Sequence, residues 1–265
     1  MFDRYLKRWS LTRDGLPIVT HSSDLLPVRQ DGRAAMLKIA REAEERRGAG
    51  LMTWWDGDGA ARVLAHDGDA VLLERATGHR SLTAMVHDGA DDEASRILCD
   101  VAARLHAPRN RPLPDLIPLS AWFAELEPGA AKHGGILARA AEVARSLLND
   151  QHEIAVLHGD LHHGNVLDFG PRGWLAIDPK RLLGERAFDF ANIFRNPDLE
   201  IAKAPGRLAR QATVIAEAAR LDRARLMRWV LAYAGLSAAW VLNDGDNATL
   251  DLAVAEIAAA EIAAG

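Results

Sequence analysis

The chain has 265 residues, of which 49% are apolar and 26% are charged, and its formal net charge at pH 7 is −5. The apolar content excludes a disordered chain and is enough for a sizeable core. The acidic balance argues against non-specific binding to nucleic acid. The length suits one large domain or two smaller lobes.

Three features indicate a cytoplasmic protein. Cys99 is the single cysteine, so the chain has no internal disulfide and no cysteine pair for a structural zinc site. The charged N-terminus, MFDRYLKR, does not fit a secretory signal peptide. The longest uncharged stretch, Trp229–Leu242, is too short to span a bilayer. We therefore expect no membrane partner, and nothing in the sequence indicates an obligate protein partner.

The first part of the chain predicts strands around one helix. Residues 34–39 form a short apolar run, and residues 41–52 have a helical composition. Two further apolar runs, at 62–65 and 70–74, flank the turn sequence DGD at 67–69 and predict a β-hairpin. This part is expected to form a small, β-rich lobe.

Beyond Gly78 the character changes to alanine-rich helical patterns. The segment Pro108–Pro118 is rich in proline and predicts a loop. Helices are predicted at 91–106, 136–148, 205–221, 223–242 and 250–263. The outline is a β-rich lobe followed by a larger helical lobe, and a cleft between two lobes is where small-molecule sites tend to lie.

The most informative stretch is residues 158–178. Asp160 and Asn165 lie on a turn-rich loop, and the apolar runs 166–169 and 174–177 flank a loop containing glycine and proline. This pattern predicts a β-hairpin that returns the chain to its starting level. Asn165 and Asp178 should therefore lie side by side, and their oxygens suit magnesium bound to nucleotide phosphates.

The segment HGDLHHGN at 158–165, followed by IDP at 177–179, resembles the catalytic loop and metal-binding aspartate of kinases. Its detailed form resembles the aminoglycoside phosphotransferase family. The segments GWLAIDP at 173–179 and GLSAAW at 235–240 are similar to the branch of streptomycin 6-kinases and hydroxyurea phosphotransferases. The resemblance implies an α+β, protein-kinase-like, two-lobe fold. Residues 1–76 would form the nucleotide-binding lobe, with a hinge near 74–78, and residues 77–265 the helical lobe with the catalytic loop and acceptor site.

The resemblance assigns roles around the phosphates. Asp160 would accept the proton of the acceptor hydroxyl, and Asn165 and Asp178 would hold Mg²⁺. Lys38, at the end of AMLK, matches the kinase lysine that binds the α- and β-phosphates of ATP. Glu45 is its expected acidic partner, because it shares a helix face with residues 49 and 52; Glu42 and Glu44 are the alternatives. Each of these residues alone has an ordinary structural explanation; their spacing favours function.

The resemblance also assigns the adenine site and the support of the catalytic loop. The Glu74 carbonyl and the Ala76 amide would meet the purine edge, with Leu73 at the rear of the pocket. His158 and Asp189 would order the catalytic loop from behind. A glycine-rich phosphate loop is missing, so residues 22–28 are expected to cover the phosphates. Lys180, two residues after Asp178, either meets phosphate oxygens or points to water.

The resemblance implies phosphorylation of a hydroxyl on a small, cationic molecule, and the expected acceptor is an aminoglycoside of the streptomycin type that is inactivated by phosphorylation. Carboxylates on the larger lobe would bind its positive groups, and a tryptophan could stack on a guanidinium. The candidates are Asp198, Glu200, Trp240, Asp244, Asp246 and Asp251.

Three alternatives remain open at this point. The acceptor could be hydroxyurea or another small metabolite. The chain could be a nucleotide-binding module that has lost turnover, although all key residues are present. A metallohydrolase is suggested by the cluster of His158, Asp160, His162 and His163, but the chain lacks the further Asp-x-His and His-x-His ligands that such enzymes need.

Overall fold

The computed structural model describes residues 1–41 and 43–264, and for residues 43–47 the backbone only. The N-terminal part is a six-stranded, antiparallel sheet. Its strands are β1 (Thr12–Arg13), β2 (Ile18–Val19), β3 (Ser23–Gln30), β4 (Arg33–Ala40), β5 (Val63–Asp67) and β6 (Ala70–Glu74). Two helices accompany this sheet, α1 (Asp3–Arg8) and α2 (Ala43–Trp55).

The hairpin predicted around residues 67–69 is formed by β5 and β6. Strand β4 pairs with β3 on one side and β6 on the other, so Lys38 comes from the interior of the sheet. The segment predicted to cover the phosphates, 22–28, falls mostly within β3, and only Ser22 belongs to the tip of the β2–β3 hairpin. Ser23 is buried in the strand. Its burial reflects pairing with Ala40 of β4, which the sequence did not indicate.

The remainder of the chain is mostly helical. Its helices are α3 (Leu82–His87), α4 (Asp91–His106), α5 (Leu119–Trp122), α6 (Leu126–His133), α7 (Gly135–Asn149), α8 (Leu199–Ala202), α9 (Arg207–Ala219), α10 (Arg223–Asn243) and α11 (Thr249–Ala264). The long helix α10 lies at the centre and packs against α6, α7, α9 and α11. It is nearly encased, which explains the uncharged run read from the sequence. In the described part of the chain, no helix combines the length and apolar character required to cross a membrane.

Short strands frame the segment 158–178, which carries the predicted catalytic loop. They are β7 (Ile117–Pro118), β8 (Ile154–Leu157), β9 (Val166–Asp168), β10 (Trp174–Ala176) and β11 (Leu182–Glu185). Strand β7 corrects the prediction that all of 108–118 is loop. It pairs in parallel with β11, and Pro118 is tolerated because it ends the strand. A 3₁₀ segment, Arg186–Arg195, follows β11 and packs against α10.

An apolar cluster joins the N-terminal sheet to the hairpin formed by β9 and β10, residues 166–176. We name it the catalytic hairpin after its predicted role. Leu73 of β6 and Met52 of α2 pack with Phe169 and Leu175 of the hairpin, and Ala76 lies against the same cluster. Backbone hydrogen bonds reinforce this junction: Ala61 donates to the Ala176 carbonyl, and Ala176 donates to that of Gly59, both at 2.9 Å. The hairpin therefore belongs structurally to the junction between sheet and helices.

Candidate active site

The catalytic hairpin has the form that the sequence predicts. Strands β9 and β10 pair antiparallel, with Val166 opposite Ala176. One residue further, the Ile177 amide donates to the Asn165 carbonyl at 2.9 Å. This bond brings Asn165 next to Asp178, the residue that follows Ile177. Asp178 has φ +57°, a conformation that L-residues rarely adopt, so its placement is imposed by the surrounding structure.

Lys38 reaches the same point from the sheet. Its ammonium lies 2.7 Å from the Asp178 carboxylate, and the lysine side chain is only 7% exposed. A buried ammonium requires such a partner. Glu45, the expected acidic partner of Lys38, has a side chain outside the described residues. The lysine and the metal-ligand candidate thus share one location between sheet and hairpin.

Asp160 lies on the loop before β9 and is held by two asparagines. Asn165 donates through Nδ2 to the Asp160 carbonyl at 2.9 Å and to its Oδ2 at 3.2 Å, while Asn192 donates to Oδ1 at 2.7 Å. Burial raises the pKa of Asp160 to about 6, although the charge of Lys180 and the hydrogen bond from Asn165 work in the opposite direction. A carboxylate with such a pKa is a suitable proton acceptor near neutral pH.

His158 connects the catalytic loop to the hairpin end. It is fully buried; its Nε2 lies 2.7 Å from the Ile177 carbonyl, and its Nδ1 accepts from the Asp160 amide at 3.2 Å. These partners require a proton on Nε2 and none on Nδ1. Burial lowers the pKa of His158, in agreement with this neutral form. One imidazole thus fixes the backbone beside Asp160 and beside Asp178.

Asp189 supports the loop from behind. Its carboxylate accepts from the backbone amides of His158 and Gly159 at 2.8 and 2.6 Å, and His106 Nε2 lies 2.7 Å away. Burial works to raise the pKa of Asp189, but the hydrogen bond and charge of His106 outweigh it, so the pKa is lowered. Asp189 remains an anion that satisfies the amides of the catalytic loop.

The segment predicted to be a hinge, residues 74–78, is tied to the hairpin by contacts that the sequence did not indicate. Glu74, at the end of β6, pairs with Arg172 from the turn between β9 and β10. The Gly78 amide donates to the Asp168 carbonyl at 2.9 Å. A Cβ at Gly78 would lie only 2.0 Å from Cγ of Asp168, so this close approach requires glycine. Leu73 is buried and Ala76 packs nearby, which leaves an apolar wall at the position expected for adenine.

A cavity of about 570 Å³ opens beside Asp160. Two tryptophans, Trp122 and Trp240, lie on its wall with their ring centroids 5.3 Å apart and their planes at 78°. The other residues lining it are Ile117, Ala121, Gly159, Lys180, Tyr233 and Ser237. The volume is in the range of sites for drug-sized ligands. Of the candidates for acceptor binding, Trp240 lines this cavity.

The acidic residues proposed from the sequence to bind the acceptor do not line this cavity. Asp198 caps α8 by accepting from the Ile201 amide at 3.0 Å and pairs with His87 at 3.1 Å, while Glu200 is exposed on the same short helix. Asp244 is exposed one helical turn beyond Trp240, on the α10 face that carries Tyr233. Asp246 is exposed in the following turn, and Asp251 is buried against Arg195. No candidate carboxylate is among the described residues lining the cavity.

The histidines of the catalytic loop do not form a metal cluster. His163 is buried, and burial lowers its pKa to about 3. His162 Nδ1 accepts from the Gly164 amide at 3.1 Å. Within the residues that the structure describes, no group of three or more histidine, cysteine or acidic side chains is arranged to hold a metal ion. The loop histidines instead pack and order the loop.

Sequence reasoning missed Asn192, Trp122, Tyr233 and Ser237. A signal existed for two of them, because Tyr233, Ser237 and Trp240 recur at helical spacing and share one face of α10. Asn192 follows Asp189 by three residues, but its contact with Asp160 depends on the path of the 3₁₀ segment. Trp122 is brought to Trp240 only by the packing of α5 near α10.

The architecture is that of protein-kinase-like small-molecule kinases. A thermostable mutant of aminoglycoside phosphotransferase APH(4)-Ia, in ternary complex with ADP and hygromycin B, superposes with a TM-score of 0.67 at 14% identity, covering 98% of this chain and 96% of that one. This similarity confirms the fold class expected from the sequence.

Proteins with similar sequences are also small-molecule kinases. Streptomycin 3''-kinase from Klebsiella pneumoniae is 55% identical, with 94% of this chain and 97% of the relative aligned. Streptomycin 6-kinase from Streptomyces glaucescens is 36% identical, over 98% and 88%. The family model described as aminoglycoside/hydroxyurea antibiotic resistance kinase matches residues 8–245. The resemblance drawn from the catalytic loop is thereby confirmed: the chain is a small-molecule kinase and belongs to the aminoglycoside/hydroxyurea antibiotic resistance kinase family.

Proposed function

We propose that this enzyme uses ATP and Mg²⁺ to phosphorylate a hydroxyl of a streptomycin-type aminoglycoside, and that the 3''-hydroxyl is the position attacked. The observation that carries the proposal is the placement of Asp160 at the wall of a 570 Å³ cavity that also carries Trp122 and Trp240. The choice of position rests on the 55% identity with the 3''-kinase, against 36% for the 6-kinase. Such an activity would confer resistance by inactivating the antibiotic in the cytoplasm, where ATP is available.

The donor set near the hairpin suits magnesium. Asp178 offers a carboxylate, and the Asn165 carboxamide turns its nitrogen to Asp160, so that its oxygen points the other way. A protein usually contributes one or two hard oxygen ligands to a magnesium–nucleotide site, and phosphate oxygens and water complete the coordination. Asn165 and Asp178 would be two such ligands, from side chains that are neighbours in space. Bound there, magnesium would neutralise charge on the phosphates during transfer.

The remaining roles follow from position. Lys38 would bind phosphate oxygens of ATP, and the apolar wall around Leu73 and Ala76 would hold the adenine ring. Asp160 would orient the acceptor hydroxyl and take its proton as the oxygen bonds to the γ-phosphorus and the bond to ADP breaks. In this proposal catalysis consists mainly of positioning and charge stabilisation.

Recognition of the acceptor would rely on aromatic rings more than on carboxylates. Streptomycin carries guanidinium groups, which are planar and weakly hydrated and therefore stack well on tryptophan. Trp240 and Trp122 offer such faces, and Asp244 lies one turn further along the same helix, where it could attract a second cation. Asp198 and Glu200 stay weaker candidates, because α8 does not line the cavity.

The size of the cavity favours streptomycin over hydroxyurea as the acceptor. A molecule with five heavy atoms would fill a small fraction of 570 Å³, whereas drug-sized ligands fill sites of this volume. A module without turnover is disfavoured because Lys38, Asp160, Asn165 and Asp178 are all present. They form two pairs in direct contact, Lys38 with Asp178 and Asn165 with Asp160.

The test is incubation of the purified enzyme with MgATP and, separately, streptomycin and hydroxyurea, with ADP release and the mass of the product as readouts. We expect streptomycin to gain one phosphoryl group and its NMR spectrum to place this group on the 3''-oxygen. Transfer to the 6-hydroxyl would overturn the position, and transfer only to hydroxyurea would overturn the acceptor class. Loss of turnover in EDTA, restored by Mg²⁺, tests the metal.

A further inference from the structure

A side chain remote in sequence holds the carboxylate of Asp160. Asn192, from the 3₁₀ segment, donates through Nδ2 to Oδ1 at 2.7 Å, while Asn165 donates to Oδ2 at 3.2 Å. Asn192 is buried, so the donor end of this hydrogen bond lies in the protein interior. With one donor on each oxygen, rotation of the carboxylate about its Cβ–Cγ bond would break both bonds. The remaining lone pairs are thereby aimed in fixed directions.

The orientation of the Asn192 amide is itself determined. An asparagine amide can turn over and exchange its oxygen and nitrogen. Here Arg195 donates to the Asn192 Oδ1 at 3.1 Å, and Asn196 donates to the same oxygen at 3.3 Å. If the amide turned over, its NH₂ group would face the guanidinium, and its oxygen would face the Asp160 carboxylate. Arg195 therefore ensures that the donor end points to Asp160.

Arg195 is anchored in turn by the C-terminal helix. Its guanidinium lies 2.5 Å from the Asp251 carboxylate, whose side chain is 4% exposed, and it stands over the Tyr233 ring at 5.6 Å. Asp251 balances the positive charge of Arg195. A continuous chain of contacts thus runs from α11 to the carboxylate of Asp160.

We propose that Asn192 is a positioning residue for phosphoryl transfer, held in orientation by Arg195 and Asp251, and that it acts through Asp160 and not on either substrate. This inference rests on the role proposed above for Asp160. It extends the site beyond the catalytic loop and the hairpin to the 3₁₀ segment and α11.

The first test removes the hydrogen bond but keeps the number and branching of the side-chain heavy atoms. Asn192→Leu is expected to lower kcat about 10- to 100-fold and to leave KM for ATP and for the acceptor within about two-fold, because an Asp160 that rotates freely reacts less often but does not alter binding. Arg195→Met is expected to give a smaller loss of the same kind, and Arg195→Lys, which retains the charge, to recover part of it. The matched control is Asn149→Leu, an exposed asparagine at the end of α7.

A double-mutant cycle separates positioning from general structural support. If Asn192 acts through Asp160, then Asn192→Leu has no further effect on the residual rate of an Asp160→Asn variant. An equal loss in both backgrounds, or a kcat of Asn192→Leu within two-fold of wild type, overturns the proposal. Should Asn192→Leu not fold, Asn192→Ser and Arg195→Met are judged by the same criteria. If the wild type is inactive on streptomycin but phosphorylates another acceptor, the proposed acceptor fails, and the cycle is measured with the acceptor that reacts.

Discussion

Lys38 and Asp178 are 140 residues apart in sequence, yet the lysine ammonium lies 2.7 Å from the aspartate carboxylate. This contact joins the interior of the N-terminal sheet to the end of the catalytic hairpin. It holds together the two groups that are proposed to face the phosphates of ATP, one as a cation and one as a metal ligand. Both groups thus lie at one point of the proposed nucleotide site.

Replacing Lys38 with methionine tests this relationship. The variant loses the buried charge proposed to bind phosphate, and we expect kcat/KM for ATP to fall by about 10²- to 10³-fold, the usual range when one electrostatic contact to a reacting group is removed. Lys7→Met, at an exposed position of α1, is the matched control and should leave kinetics unchanged. If Lys38→Met had nearly wild-type activity, Lys38 would not be a phosphate-binding residue.

The raised pKa of Asp160 predicts a pH-dependent effect on stability. Burial raises this pKa from 3.8 to about 6, so the folded state disfavours the ionised carboxylate. The contribution of the group to stability is complete below pH 3.8 and is lost as the pH rises through about 6. The free energy of unfolding of Asp160→Asn, relative to wild type, should therefore increase by about 1–3 kcal/mol between pH 4 and pH 8. Urea unfolding of both proteins at the two pH values measures this difference, and a constant difference would contradict the raised pKa.

Trp240 is expected to contribute to acceptor binding through its ring. A cation–π contact contributes about 0.5–2 kcal/mol, so Trp240→Leu should raise the Kd of streptomycin about 2- to 30-fold. Trp240→Phe keeps an aromatic face and should recover part of the affinity. Calorimetric titration of each variant with streptomycin, and with a non-hydrolysable ATP analogue as internal control, provides the comparison. Weaker binding of the nucleotide as well would indicate a general disturbance and contradict a specific role.

The close packing of α10 against α7 makes a prediction about stability alone. A Cβ added at Gly235 would lie 2.3 Å from Cβ of Ala140, so Gly235→Ala forces the two helices apart. We expect it to lower the free energy of unfolding by about 1–3 kcal/mol, as overpacking usually does. Gly50→Ala, in α2, is the control, since no described atom lies within 4 Å of its added Cβ; there alanine should stabilise the protein by up to about 1 kcal/mol. Equal unfolding midpoints for both variants would contradict the packing of α10.

The catalytic hairpin could be predicted from sequence because its determinants are local. The apolar runs, the turn residues and the positions of Asn165 and Asp178 all lie within one short segment, and strand pairing then fixes their proximity. Helix α4, Asp91–His106, was predicted with its observed ends, since three acidic residues begin it and basic residues end it.

The acceptor cavity and the support of Asp160 could not be predicted in the same way. Trp122 meets Trp240 through the packing of distant helices, and Asn192 reaches Asp160 across 32 residues along a 3₁₀ segment with no sequence signature. Strand β7 was missed because its pairing with β11 depends on tertiary structure, and proline is disfavoured in strands generally. Contacts between separate elements thus account for most of what the sequence did not indicate.

The proposed mechanism depends on Asp160, which would accept the proton from the hydroxyl that ATP phosphorylates. The most direct measurement is the rate of phosphoryl transfer to streptomycin by the wild type and by Asp160→Asn, with nucleotide affinity determined for both. We predict that the wild type forms phosphorylated streptomycin, and that the variant binds ATP with similar affinity but transfers at least about 10²-fold more slowly, as expected for loss of a general base. If Asp160→Asn transferred the phosphoryl group at nearly the wild-type rate, Asp160 would not be the proton acceptor.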